Sequence, residues 1–107
     1  MRRLEKIPVV RRIETNRPDV FAIEIIGEFG AADAENLCGL LEGAYEIHQR
    51  LGLLLRLSEL ESVNLSRLDA DTVRTIRDHV GRHVARCAVI GDGTLAARIE
   101  ALFAPGA

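Results

Sequence analysis

No apolar run in this sequence approaches the length of a membrane span, so no transmembrane helix is expected. The opening stretch MRRLEKIPVVRR likewise lacks the apolar core of a signal peptide. Cysteine is scarce: Cys38 and Cys87 lie far apart and match neither a metal-binding nor a redox spacing. They read as reduced, small hydrophobes of a cytoplasmic protein. Lysine occurs once against thirteen arginines, and these bases alternate with acids instead of forming a stripe. With a net charge of −2, nothing favours a general attraction to nucleic acid or to an anionic membrane. Internal repeats, low-complexity tracts and linkers are absent as well.

What is present suits one soluble globular domain spanning residues 1–107. The chain is 48% apolar and 28% charged, and its length supports a single core but not two. Residues 7–14 (IPVVRRIE) read as an edge strand, with Pro8 near its start and Arg11 and Arg12 discouraging edge-to-edge association. A turn at Asn16, Pro18 and Asp19 leads into a second strand at 20–27, and the two should form an antiparallel hairpin. Asp33 is the expected cap of a first helix whose stripe is Leu37, Leu40, Leu41, Ala44, Ile47 and Leu51, with Gly52 as its stop. A central strand follows at 53–57, then a polar loop, then a helix starting at Ser66 with Asp69 three residues on. Leu68, Val73, Ile76, Val80 and Val84 form that helix's apolar stripe, with Asp78 and Arg82 paired on its outer side. A strand at 86–90, a Gly91-Asp92-Gly93 turn and a helix at 94–103, stopped by Pro105, complete the order ββαβαβα.

Alternating strand and helix after the hairpin predicts an α/β fold: a mixed sheet with right-handed β-α crossovers. Side-chain alternation puts Phe21, Ile23, Ile25, Leu53, Leu55, Leu57, Cys87 and Val89 on one wholly apolar face. The other face carries Ala22, Glu24, Ile26, Leu54, Arg56, Ala88 and Ile90. If the crossovers all step the same way, the helices cover only the first face. Glu24 and Arg56 could then pair across neighbouring strands on the open one.

This order of elements, the stretch RLSELESVNLS and above all RCAVIGDGTLAARIEALFAP resemble the SpoIIAA-like (STAS-fold) proteins over residues 20–105. The resemblance implies a four- or five-stranded sheet and a regulatory role. The best-understood relatives of that superfamily are anti-sigma-factor antagonists, which bind a kinase-like partner and are switched off by phosphorylation. Their switch, Asp-Ser-Ser/Thr-Gly after the central strand, falls here on Asn64, Leu65, Ser66 and Arg67. The phosphoserine is thus replaced by Leu65, and only the neighbouring hydroxyl survives, as Ser66. The resemblance also implies a further strand after Pro105 that these residues do not supply, so the last strand's edge at 86–90 is expected either to stay unpaired or to pair with another chain, and a homodimer could form through that edge or through the open sheet face.

In open α/β sheets, ligands and partners gather at the carboxyl ends of the strands. The segment 58–67 is therefore the expected working region, with Ser58, Glu59, Glu61, Asn64, Ser66 and Arg67 as partner-binding residues. Ser66 is a candidate phosphoacceptor, although a helix-capping role explains it fully. Glu24 and Arg56 mark a candidate ligand face, with a half-exposed ion pair as the simpler account. His79 and His83 stand one helical turn apart, but no third ligand is placed by motif, so no metal site and no cofactor are expected. The glycine turn at 91–93 is too short for a phosphate loop. Neither cysteine has a histidine partner in sequence, and Glu59 and Glu61 complete no acid-base pair. The leading expectation is a non-catalytic interaction module whose protein partner the sequence does not name. The alternative is a small-molecule or lipid-binding domain of the same fold, and an enzyme ranks last because no nucleophile, base and stabiliser assemble.

Overall fold

The computed structural model describes residues 9–106, so the expectations for Ile7 and Pro8 fall outside it. The first two strands, β1 (Val10–Ile13) and β2 (Val20–Gly30), form an antiparallel hairpin in which Arg11 stands opposite Glu24. Its turn is held by Thr15 Oγ1, which accepts from the Arg17 N–H at 3.1 Å, and by the Arg17 guanidinium forked onto Asp19. That fork holds the Asp19 carboxyl below its usual value. After the hairpin come α1 (Ala31–Ile47), β3 (Leu51–Asn64), α2 (Ala70–His83), β4 (Val84–Ile90) and α3 (Gly93–Phe103).

The sheet order is β1-β2-β3-β4, with β2, β3 and β4 mutually parallel. Each parallel step moves one place in the same direction, so successive crossovers share one face. Burial shows the result. Phe21, Ile23, Ile25, Leu53, Leu55 and Leu57 are buried beneath the helices, while Arg56, Ala88 and Ile90 on the opposite face are exposed. Ala22 and Glu24, in a strand flanked on both sides, are buried on that second face. The other side of the core comes from Leu37 and Leu41 of α1, Ile76 and Val80 of α2, and Ile99 and Phe103 of α3. β4 is the outer strand, and its far edge has no partner among the described residues.

The central strand is longer than its apolar run predicts. It continues past Leu57 to Asn64, so most of the expected 58–67 loop is strand. Two register shifts separate the regular segments: Arg56 pairs with Glu24 but Glu59 with Ile26, and Leu60 pairs with Gly27 but Ser62 with Glu28. Each shift adds one residue to β3, and each extra residue reverses which alternate side chains face the core. The inward series therefore runs Leu55, Leu57, Leu60, Val63, and strict alternation loses it after Leu57.

Three helix boundaries also differ from expectation. Gly30, not Asp33, precedes α1. Asp33 reaches back from the first turn, and its carboxylate accepts from the Gly30 N–H at 2.8 Å. The helix ends at Ile47, so Leu51 and Gly52 belong to β3 and Gly52 is no helix stop. The buried stripe of α1 is Ala34, Leu37, Leu41 and Tyr45, which leaves Leu40 and Ile47 exposed at 40% and 77%. Helix α2 starts at Ala70, capped by Asp69, whose side chain accepts from the Thr72 N–H at 2.7 Å. Ser66 lies outside it, in the turn that precedes it. Leu68 and Val84 flank α2 and still pack on the core.

The Gly91 turn sends the chain across β3. A Cβ at Gly91 would lie 3.2 Å from the Leu57 carbonyl carbon, and its φ is +130°, so glycine is required there. Helix α3 then runs beside the half of β3 that β4 does not reach. Arg98 donates to the Val63 carbonyl at 3.2 Å, giving that otherwise open strand edge a partner. At the other end of α3, Arg77 donates to the carbonyls of Leu102 and Ala104. No helix among the described residues is long and apolar enough to cross a membrane.

Candidate functional site

At the carboxyl ends of β2 and β3, which stay paired as far as Gly30 and Asn64, lies a cleft of about 370 Å³. Its walls are Glu28, Phe29 and Gly30 from β2, Ala31 to Asp33 from α1, Ser62 and Asn64 from β3, and Ser66 and Arg67 from the following turn. Of the six residues expected to bind a partner, Asn64, Ser66 and Arg67 meet here. Ser58, Glu59 and Glu61 do not line the cleft. They are exposed along the same strand that leads into it.

The turn itself is built on Asn64. Its side-chain oxygen accepts from both the Ser66 N–H, at 3.1 Å, and the Ser66 hydroxyl, at 2.8 Å. This side-chain turn reverses the chain where an ordinary backbone turn would otherwise be needed. Leu65 packs half-buried on the core, and its carbonyl accepts from the Leu68 N–H at 3.0 Å. Ser66 is therefore a turn residue and not a helix cap; Asp69 has that role. The hydrogen bonds from Thr72 to Asp69 hold its carboxyl below the usual value.

Electrostatically the cleft is a poor anion cradle. The start of α1 would attract negative charge, but Asp33 already occupies the Gly30 N–H. Glu28 adds a second carboxylate against the single cation, Arg67. Glu28, Gly30 and Asp33 join the site because β2 runs on past Gly27 to Gly30, and Ser62 joins it because the 58–64 segment is strand paired with that extension. The only trace of their role in the sequence is Asp33 at the start of a helical pattern.

On the open sheet face Glu24 is only 10% exposed in its side chain and is held from both sides. Arg11 of β1 lies 2.9 Å from Oε1, and Arg56 of β3 lies 3.6 Å from Oε2. The pair marked as a ligand face is thus a three-strand ionic row whose carboxylate already has partners on both oxygens.

A third locus joins α1 to α2. The His83 ring stacks on Tyr45 with centroids 4.4 Å apart, and its Nδ1 lies 2.8 Å from the Gln49 carbonyl. His79 faces elsewhere, with Nδ1 3.4 Å from Glu42 Oε2 and its ring edge-on to Tyr45. The two histidines therefore share the Tyr45 ring but turn their Nδ1 atoms to different partners, Glu42 and the Gln49 carbonyl. Cys38, one turn before Glu42, has its sulfur 3.9 Å from the same carboxylate oxygen. Burial, then Glu42, pushes the Cys38 thiol pKa up, and burial likewise raises that of Tyr45. Sequence spacing could show Cys38 and Glu42 as an i,i+4 pair on α1, but only the packing of α2 against α1 adds His79.

The profile of the SpoIIAA-like family matches residues 20–106. Among solved structures, an uncharacterized protein of the DUF3478 family from Shewanella loihica PV-4, with a SpoIIAA-like fold, superposes with a TM-score of 0.60 at 24% identity. The match covers 91% of this chain and 79% of that one. No curated protein matches.

Proposed function

The chain belongs to the SpoIIAA-like family, and from that premise we propose that it works as a non-catalytic, cytoplasmic protein-interaction module. The observation that carries the reading is the cleft at the carboxyl ends of β2 and β3, where Asn64, Ser66 and Arg67 converge. Beside it, Ser58, Glu59 and Glu61 present an exposed polar strip on β3. The cleft's two carboxylates are Glu28 and Asp33, and Asp33 is engaged by the Gly30 N–H. The Ser66 hydroxyl is committed to Asn64. Two free thiols support the assignment to a reducing compartment.

The acidic balance of the cleft and of the adjoining β3 strip favours a partner that presents basic and hydrogen-bonding groups to Glu28 and Asp33 in the one and to Glu59 and Glu61 on the other. Affinity purification from the native cell, with wild type beside a Glu61→Lys/Arg67→Glu double variant, tests the reading. A partner retained by the wild type and lost by the variant is expected. Every partner persisting on the folded double variant would overturn it.

One observation favours a second reading, as a small-molecule or lipid-binding domain. An apolar groove of about 480 Å³ runs between α1 and the hairpin, lined by Phe21, Leu40, Ala44, Ile47 and Leu51 among others. Native mass spectrometry of freshly purified protein that showed only the bare chain would remove this alternative.

A further inference from the structure

We propose that Cys38, Glu42 and His79 form a metal site that clips α1 to α2, with zinc the ion it suits best. Sulfur, carboxylate oxygen and imidazole nitrogen lie within 4.8 Å of one another, and two of them sit one turn apart on a single helix. The second observation is His79 Nδ1 itself. It is fully shielded from solvent and has no hydrogen-bond partner among the described residues. A buried nitrogen left unpaired is costly, and an ion supplies the missing partner. Glu42 is 3.4 Å away but outside hydrogen-bonding geometry.

The donor set indicates which ion. Thiolate and imidazole are soft to borderline ligands that suit zinc and copper, whereas magnesium and calcium prefer oxygen alone. Tetrahedral zinc, with Zn–S of about 2.3 Å and Zn–N of about 2.0 Å, needs ligand separations of about 3.3–3.7 Å. The observed 3.4 Å and 3.9 Å approaches of the Glu42 oxygen are close to that already. The Cys38 sulfur and the His79 nitrogen lie within 4.8 Å of each other, so closing the site requires side-chain rotation at these two residues as well as at half-exposed Glu42. On binding, the Cys38 thiol gives its proton to solvent and its sulfur forms the metal bond.

Three protein ligands leave the fourth position to water, on the solvent side where Glu42 is exposed. The edge-on Tyr45 ring fixes the imidazole plane. Arg82, the nearby cation, is held by Asp78 at 2.7 Å, so its charge is partly countered. The site lies on the helical layer, away from the strand-end cleft, and is independent of the interaction reading.

The test titrates the fully reduced, metal-free chain with cobalt(II) under argon and follows the thiolate-to-cobalt absorption band. One equivalent should saturate the band, which should persist in Cys87→Ser and vanish in Cys38→Ser. Glu42→Gln and His79→Ala should each weaken binding by at least about tenfold, with circular dichroism confirming the fold. Zinc should raise the melting temperature of the wild type but not of Cys38→Ser. Because Glu42 is exposed, its variant remains informative even if loss of His79 disturbs packing. A wild-type chain without the band, a band that survives in Cys38→Ser, or an affinity unchanged by Glu42→Gln would overturn the proposal.

Discussion

Glu24 Oε2 lies 3.6 Å from the Arg56 Nε across the β2–β3 pair, while its other oxygen is held at 2.9 Å by Arg11 on β1. One nearly buried carboxylate thus links three strands on the face that no helix covers. Both arginines are about half exposed, so each is well solvated and its contact with Glu24 is screened.

A consequence is redundancy. Replacing either Arg11 or Arg56 by Ala should cost under about 1 kcal/mol, since the remaining arginine still compensates the carboxylate. The double variant strands a buried charge and should cost more than the sum of the two, by about 1 kcal/mol or more. Urea denaturation of the four-member cycle measures this coupling, and strict additivity would show that the row is not cooperative.

Glycine substitutions should separate by sign. Gly91→Ala forces a side chain into a φ of +130° and to within 3.2 Å of Leu57, so a loss of about 2 kcal/mol is expected. Gly81→Ala lies on the exposed side of α2 with open space around the new methyl group. It should gain about 0.5–1 kcal/mol from helix propensity. Thermal or chemical unfolding of both reports the contrast.

The cap of α2 gives a pH-dependent prediction. The Asp69 carboxyl is held below its ordinary value by the hydrogen bonds from Thr72. A depressed folded-state pKa contributes stability above the unfolded value of about 4, and that contribution fades as pH falls through the folded pKa. Asp69→Ala should therefore be less stable than wild type at neutral pH, with the gap closing in acid. Ser66→Ala should move stability by no more than about 0.5 kcal/mol, because its hydroxyl caps no helix. A large effect at Ser66 and none at Asp69 would reverse the assignment.

Cysteine reactivity is also set by burial. The Cys87 thiol pKa is raised to about 11, first by burial and then by the charge of Glu100. Alkylation of Cys87 in folded protein at pH 8 should be slower than that of an ordinary exposed thiol by on the order of a hundredfold. Peptide mass spectrometry over a time course checks it, and rapid labelling would show that β4 opens readily.

The sequence alone determined the element order, the hairpin, and which alternate residues of Val20–Phe21–Ala22 and Leu53–Leu54–Leu55 face the core. Those follow from local periodicity, which every short strand and helix carries in its own residues. It also placed Glu24 beside Arg56, since regular alternation and neighbouring strands are enough for that. Only the tertiary structure decided the rest. Two extra residues in β3 reset its alternation, so the strand runs to Asn64 through residues whose pattern reads as loop. Asp69 caps α2 because Ser66 is drawn into the Asn64 turn, a competition between two adequate hydrogen-bonding residues that spacing does not rank. The meeting of Cys38, Glu42 and His79 depends on how two helices pack across an intervening strand. A one-dimensional pattern records which face a residue occupies, but the contact between faces is set by the packing of the whole core.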